Sequence, residues 1–182
     1  MRVRLRPKYI DEQLQEIYDK PHQHETWKDH RQRVHSTIAL ANWFYPISTV
    51  ADLSCGDAYI IDRVGASTKY RGDFAPGYEL TGPIEETINK IPVVDLFILS
   101  ETIEHIDDPD TLLKQIRGKA KHLILTTPLG EKDDQNPQHY WGWDKEDMRK
   151  MLENAGFNLE IYQELEFTEP NLIYTYQMWG CS

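Results

Sequence analysis

The chain has 182 residues, of which 40% are hydrophobic, and its formal net charge is −10 at pH 7. This predicts one domain, residues 1–182, and an acidic field that disfavours a long nucleic acid duplex as a partner. Two cysteines are too few for a disulfide scaffold. The chain shows no apolar run of the kind expected for a signal peptide or a membrane span. We therefore expect a reduced, cytoplasmic protein.

The first 46 residues predict a helical cover. Apolar residues recur at helical spacing in two stretches within 9–45. Pro21 separates the two predicted helices, and Pro46 ends the second. We expect this segment to cover a core formed by residues 47–182.

Strands and helices alternate in the predicted core. The predicted strands are 49–55, 68–73, 78–82, 93–100, 121–128, 158–164 and 171–178. The predicted helices are 57–65, 108–120 and 144–155, the last two N-capped by Asp108 and Asp144. This order predicts an α/β fold with a doubly wound, mostly parallel, seven-stranded Rossmann-like sheet that ends in an antiparallel hairpin. Ligands of such sheets bind at the carboxyl ends of the strands.

Five segments in chain order resemble class I S-adenosylmethionine-dependent methyltransferases. They are ADLSCGDAY (51–59), GD (72–73), DLFILSETIEHIDDP (95–109), LILTTP (123–128) and HYWGWDKEDMRKMLENAGF (139–157). The likeness is greatest to ubiquinone-biosynthesis O-methyltransferases and small-RNA 2′-O-methyltransferases. It implies that S-adenosylmethionine is the cofactor.

The resemblance also implies a cofactor site on the loops that follow the strands. Its residues are Asp52, Ser54, Cys55, Gly56, Asp73, Pro83, Ile84 and Ser100. The first loop would pass the methionine part of the cofactor, with glycine allowing close backbone approach. Asp73 would accept hydrogen bonds from the ribose, and Pro83 and Ile84 would lie beside the adenine.

Two departures from the family pattern affect this site. Ser54 and Ala58 stand where the family commonly has glycine. Segment 74–78 is too short for the helix that usually joins the second and third strands, so a partner copy in a homodimer could complete the adenine wall. Both departures also suit a non-catalytic relative that only binds the cofactor.

The N-terminal cover carries four of the seven histidines of the chain: His22, His24, His30 and His35. His24, Trp27 and Arg33 could form a lid over the cofactor, with Arg33 pairing with the cofactor carboxylate. The alternative is an amphipathic cover helix that merely exposes its histidines.

Two carboxylates and an imidazole follow the most apolar predicted strand, at Glu101, Glu104 and His105. A helical turn would bring them to one face, where two carboxylates repel unless a proton or a cation lies between them. Small-RNA 2′-O-methyltransferases hold a divalent ion with a Glu-x-x-Glu-His run and a later His, which His139 matches, four residues before Trp143. The resemblance therefore implies that these two glutamates and two histidines bind Mg²⁺ or Mn²⁺.

Other roles for the same residues stay open. Glu104 and His105 could act as metal-free acid/base groups or only line the pocket. Tyr140, Trp141 and Trp143 could stack on a planar acceptor or only pack internally. We expect methyl transfer to a hydroxyl of a small-molecule diol, with an RNA-end 2′-O-methyltransferase as the alternative enzyme.

Overall fold

The computed structural model describes residues 2–24, 28–130, 132–134, 136–169 and 172–182. The helices are α1 Asp11–Ile17, α2 Lys28–Trp43, α3 Tyr59–Asp62, α4 Ile84–Thr87, α5 Pro109–Arg117 and α6 Lys145–Asn154. The strands are β1 Val3–Arg4, β2 Thr49–Asp52, β3 Thr68–Asp73, β4 Leu80–Thr81, β5 Val94–Ser100, β6 Ala120–Pro128, β7 Trp141–Gly142, β8 Leu159–Glu169 and β9 Leu172–Cys181. Two 3₁₀ turns cover Ile88–Lys90 and Ile103–His105.

The main sheet confirms the predicted fold class. Its seven strands run in the order β4-β3-β2-β5-β6-β9-β8. The first five pair in parallel, whereas β9 pairs antiparallel with both β6 and β8. The crossovers bring the carboxyl ends of β2, β3 and β5 to the same edge of the sheet.

Apolar side chains of β5 alternate between two cores, one on each face of the sheet. Phe97 and Leu99 pack with residues of α4, α5 and α6. Leu96 and Ile98 pack with residues of α2 and α3. All four are fully buried, which explains why the strand is apolar along most of its length.

Several element bounds differ from the prediction. Helix α3 has only four residues; it begins after Ala58, which takes a left-handed conformation with φ of 61°, and it ends at Asp62 rather than at Gly65. The predicted strand 78–82 shortens to β4, and the described connection 74–79 contains no helix. Both N-caps are confirmed: the side chain of Asp108 accepts from the Thr111 amide, and that of Asp144 from the Asp147 amide.

The N-terminal segment forms two helices, as predicted, but the two helices differ from each other in how they pack. Helix α2 buries Val34, Leu40 and Ala41 in the core below it. Helix α1 buries none of its residues and borders the edge of the sheet where the strands end. The pairing of β1 with β7 was not predicted from the sequence. Among the described helices, none combines the length and apolar character needed to cross a membrane.

Candidate active site

A cleft of about 1490 Å³ opens where the parallel strands end. Most of the predicted site residues line it, namely Arg33, Ser54, Gly56, Asp73, Pro83, Ile84, Ser100, Glu101, Glu104, His105 and His139. Asp52 and Cys55 are not among the lining residues and are buried, with exposed fractions of 2% and 1%. The structure therefore brings the two predicted sites, for cofactor and for metal, into one cavity.

The first loop needs its glycine. Gly56 has φ of +54°, and a Cβ there would lie 2.7 Å from the carbonyl oxygen of His22. Its amide donates to Oδ2 of Asp73 at 2.8 Å. The Oδ1 atom of Asp73 accepts from the Ala75 amide at 2.9 Å. Each carboxylate oxygen has a second lone pair, so Asp73 can still accept hydrogen bonds from a ligand.

Asp52 and Cys55 both have raised pKa values. Oδ1 of Asp52 accepts from the Ser54 amide at 3.2 Å, but burial dominates and raises the pKa of Asp52 to about 7. Burial also raises the pKa of the Cys55 thiol above its usual range.

Arg33 is connected to Glu101 by hydroxyl groups. Its Nη1 donates to Oγ of Ser100 at 2.7 Å, and Ser100 is 2.9 Å from Oγ1 of Thr126. Thr126 donates to Oε1 of Glu101 at 2.9 Å. Because arginine only donates and a carboxylate only accepts, the two hydroxyls must align in one direction. Arg33 is 2% exposed, and its Nε has no hydrogen-bond partner among the described residues.

Glu104 is the most deeply buried of the described carboxylates that line the cleft. It is 1% exposed, and its Oε2 accepts from Oγ1 of Thr127 at 3.0 Å. Its Oε1 is buried without a hydrogen-bond partner in the described part of the chain. Burial, and then the charge of Glu101, raise the pKa of Glu104 well above its usual range. Burial raises the pKa of Glu101 too, although nearby Arg33 opposes this.

The hydrogen bonds of His105 fix its tautomer. Its Nδ1 lies 3.0 Å from the carbonyl oxygen of Gln138, which can only accept, so Nδ1 carries the proton. The hydroxyl of Tyr18 also lies 3.2 Å from this nitrogen. The lone pair of Nε2 then faces Glu104, with Oε1 at 3.9 Å. Burial lowers the pKa of His105 to about 3, so the ring is neutral.

His139 joins this pair from the loop before β7. Its Nδ1 bonds the carboxylate of Asp134, and its Nε2 lies 3.0 Å from the amide nitrogen of Asn136. Its ring centroid is 4.9 Å from that of His105. One potential ligand atom from each of Glu104, His105 and His139 lies within 4.8 Å of the others, a group that does not include Glu101.

The aromatic residues near His139 are divided between core and cleft. The Tyr140 amide donates to the carbonyl of Glu104 at 2.8 Å, and Tyr140 is among the residues that line the cleft although it is only 2% exposed. Trp143 is 1% exposed, and its indole donates to Oγ1 of Thr127 at 3.2 Å, so it packs internally. Trp141 is half-buried beneath the Arg4 guanidinium, 4.7 Å from it. Tyr140 alone of these three lines the cleft.

The predicted lid is only partly within the described residues. Trp27 lies outside them. Nδ1 of His24 is 2.5 Å from Oδ1 of Asp57, which holds segment 22–24 on the first loop. His24 and Arg33 both line the cleft.

Sequence reasoning missed the residues that hold the acidic pair. Thr126 and Thr127, both fully buried, bond Glu101 and Glu104. The signal was available, because they end the predicted strand 121–128, next to the strand before Glu101. Tyr18 was also missed; its ring is 5.5 Å from that of Phe74, and both residues line the cleft.

No family model and no curated protein matches this chain. The N-methyltransferase NodS from Bradyrhizobium japonicum is 11% identical over 93% of this chain and 97% of its own, with a TM-score of 0.70. Magnesium protoporphyrin IX methyltransferase from Synechocystis is 17% identical over 93% and 92%, with a TM-score of 0.64. The 1,6-didemethyltoxoflavin-N1-methyltransferase of Burkholderia thailandensis is 14% identical over 81% and 76%, with a TM-score of 0.62.

All three were solved with S-adenosylhomocysteine. At this identity the likeness concerns the fold. The chain therefore has the fold of S-adenosylmethionine-dependent methyltransferases.

Proposed function

We propose that the protein transfers the methyl group of S-adenosylmethionine to a hydroxyl of a small molecule. The shared fold supports the cofactor class. The observation that carries the proposal is that one cleft holds both a cofactor-type set of loops and the buried group Glu104, His105 and His139. The first can bind the methyl donor, and the second can bind and activate an acceptor.

The cofactor half of the cleft has groups that match each part of S-adenosylmethionine. The Arg33 guanidinium would pair with the carboxylate, and Asp73 would accept from the ribose hydroxyls. Pro83 and Ile84 would lie beside the adenine, and Ser100 beneath the cofactor. When bound, the cofactor supplies an electrophilic methyl group on a sulfonium.

The acceptor half fits a divalent cation. Oε1 of Glu104 is a buried oxygen without a partner among the described residues, and Nε2 of His105 presents a lone pair. In both histidines Nδ1 bonds an oxygen, the usual arrangement that orients a metal-bound imidazole, and Nε2 of His139 would exchange its contact with the Asn136 amide nitrogen for the ion. The mixed ligands favour Mn²⁺ over Mg²⁺, with Glu101 as the neighbouring acid. Such an ion would lower the pKa of a bound hydroxyl, which makes it a better nucleophile.

The acceptor class follows from this chemistry. Two adjacent oxygens chelate a cation best, so we propose a catechol, a sugar or a nucleoside-like diol as the acceptor. Tyr18 and Tyr140 line the cleft near His105 and could contact a ring. If no cation binds, Nε2 of His105 beside Glu104 would be the candidate general base.

An RNA end is the second candidate, because the Glu104, His105 and His139 group matches the small-RNA enzymes. Against it, two of the three N-terminal arginines already pair with carboxylates, Arg2 with Asp110 and Arg4 with Asp107, each at 2.5 Å. Short single-stranded RNA tests this candidate: binding that weakens steeply with salt supports it, and no binding at low salt removes it.

A methyl-transfer assay tests the main proposal. Protein would be incubated with S-adenosylmethionine labelled in its methyl group and a panel of diols, with Mn²⁺ or with a chelator. We expect label transfer with Mn²⁺, and loss of transfer in Glu104→Ala and His139→Ala. Methyl transfer that is insensitive to the chelator would mean that acid/base chemistry, rather than a metal ion, activates the acceptor. No transfer to any acceptor, despite cofactor binding, would favour a non-catalytic relative.

A further inference from the structure

The first residues of the chain hold the loop that carries His139. We call residues 2–9 the N-terminal clasp. Its strand β1 pairs antiparallel with β7, which follows this loop. The amide of Leu5 extends the pairing by donating to the carbonyl of Tyr140 at 2.8 Å. The clasp thus fixes the backbone directly after His139.

Two clasp side chains reach the part of the loop before His139. Nη2 of Arg6 donates to the carbonyl of Asp134 at 3.1 Å, and the hydroxyl of Tyr9 donates to the carbonyl of Pro137 at 2.5 Å. The Asp134 carboxylate accepts from Nδ1 of His139. A chain of contacts therefore runs from Arg6 through Asp134 to the imidazole.

The clasp also contacts the segment that follows His105. Nη2 of Arg4 lies 2.5 Å from the carboxylate of Asp107, two residues after His105. Nη2 of Arg2 lies 2.5 Å from Asp110 in α5. The clasp therefore connects the segment after His105 to the loop of His139, which come from different parts of the chain.

We propose that Arg6 is a positioning residue for His139. By holding the backbone of Asp134, it keeps the Asp134 carboxylate against Nδ1, which leaves the lone pair on Nε2 and fixes the imidazole beside that of His105. The catalytic meaning of this role rests on the proposed function, but the positioning itself does not. The competing explanation is that the clasp only adds stability to the fold.

The ¹⁵N chemical shifts of the His139 ring separate these explanations, because they report which nitrogen carries the proton. We expect the Nδ1–H form in the parent protein and a mixture with the Nε2–H form in Arg6→Gln. Arg6→Lys should restore the parent pattern, since an ammonium can donate to the same carbonyl. Arg2→Gln is the matched control, because it removes a clasp arginine whose ion pair is with Asp110 rather than Asp134.

A second variant tests the same loop in case Arg6→Gln does not fold. Tyr9→Phe removes only the bond to Pro137 and should shift the same ring signals in the same direction, to a smaller extent. In methyl transfer, Arg6→Gln should lower acceptor turnover by about 10–100-fold while leaving S-adenosylhomocysteine affinity unchanged.

The positioning role is overturned if Arg6→Gln keeps the parent ring shifts, or if Arg2→Gln changes them equally. Failure of the proposed function would look different. The parent would then fail to bind S-adenosylhomocysteine, while the comparison of ring shifts among the variants would stand.

Discussion

Oγ1 of Thr127 donates a hydrogen bond to Oε2 of Glu104 at 3.0 Å. This bond satisfies one oxygen of a carboxylate that is 1% exposed and leaves the other, Oε1, without a partner among the described residues. A buried carboxylate in this state is held by the fold at a cost in stability.

Glu104→Gln should therefore stabilise the protein while abolishing cation binding. Because the pKa of Glu104 is raised in the folded state, ionisation there costs stability above the unfolded pKa, and glutamine avoids that cost. We expect a gain of about 1–2 kcal/mol at pH 8 in chelated buffer, shrinking toward pH 4. Urea unfolding at both pH values measures it. Glu86→Gln, an exposed acid at the other side of the cleft, is the control, and a loss of stability at pH 8 would contradict the account.

Arg33→Gln should weaken binding of S-adenosylhomocysteine. A charged hydrogen bond to the cofactor carboxylate contributes about 1.5–3 kcal/mol, so affinity should fall by about 10–100-fold. Arg31→Gln is matched in charge and lies in the same helix, but its side chain is exposed and does not line the main cleft. Calorimetry of both variants checks this, and equal affinities would remove Arg33 from the cofactor site.

Gly56→Ala should block cofactor binding, in addition to the loss of fold stability that a side chain at positive φ causes. A Cβ at Gly56 would lie 2.7 Å from the His22 carbonyl oxygen and 2.9 Å from Cε1 of His24, so segment 22–24 must move. Gly130 also has positive φ, +79°, but a Cβ there would have no described atom within 4 Å. Gly130→Ala should therefore lose only about 1 kcal/mol of stability. Similar S-adenosylhomocysteine affinities in the two variants would show that the close contact is unimportant.

Asp52→Asn should change the pH dependence of stability. The folded-state pKa of Asp52 is about 7, above its unfolded value, so the folded protein holds a proton that the unfolded chain releases between about pH 4 and 7. Stability from this group is present at low pH and is lost as pH rises through 7. Relative to the parent, Asp52→Asn should gain at least about 1 kcal/mol between pH 5 and 8.

Unfolding of the parent and Asp52→Asn across this pH range tests the assignment. Asp19→Asn supplies the control, because the Asp19 side chain is 62% exposed. Parallel pH profiles for the parent and Asp52→Asn would mean that Asp52 ionises normally in the folded protein.

The sheet could be predicted because burial on both faces demands apolar strands. β5 and β6 are nearly continuous apolar runs, and α5 and α6 begin with Asp108 and Asp144 caps that have a local signature. The pairing of β1 with β7 could not, since each strand has two residues and the partners are far apart in sequence. Residues 2–6 alternate arginine with valine or leucine, which is a strand pattern, but this pattern does not identify the strand that pairs with it.

The candidate site could be predicted in part for a similar reason. Spacing within one turn indicated that Glu104 and His105 would lie together, and the family resemblance added His139, which the structure places beside them. Glu101 departs from the group because it takes a left-handed conformation with φ of 50°, which no residue pattern indicated. The threonines that hold the carboxylates lie at the end of a predicted strand, but their bonds to Glu101 and Glu104 depend on the register of β5 against β6, which the sequence did not indicate.

Titration calorimetry of S-adenosylhomocysteine into the parent protein tests the central claim most directly. The account predicts one site per chain with a dissociation constant below about 0.1 mM, followed by Mn²⁺ binding that Glu104→Ala and His139→Ala lose. Absence of any heat of binding for S-adenosylhomocysteine at millimolar concentration would contradict a methyltransferase role for this cleft.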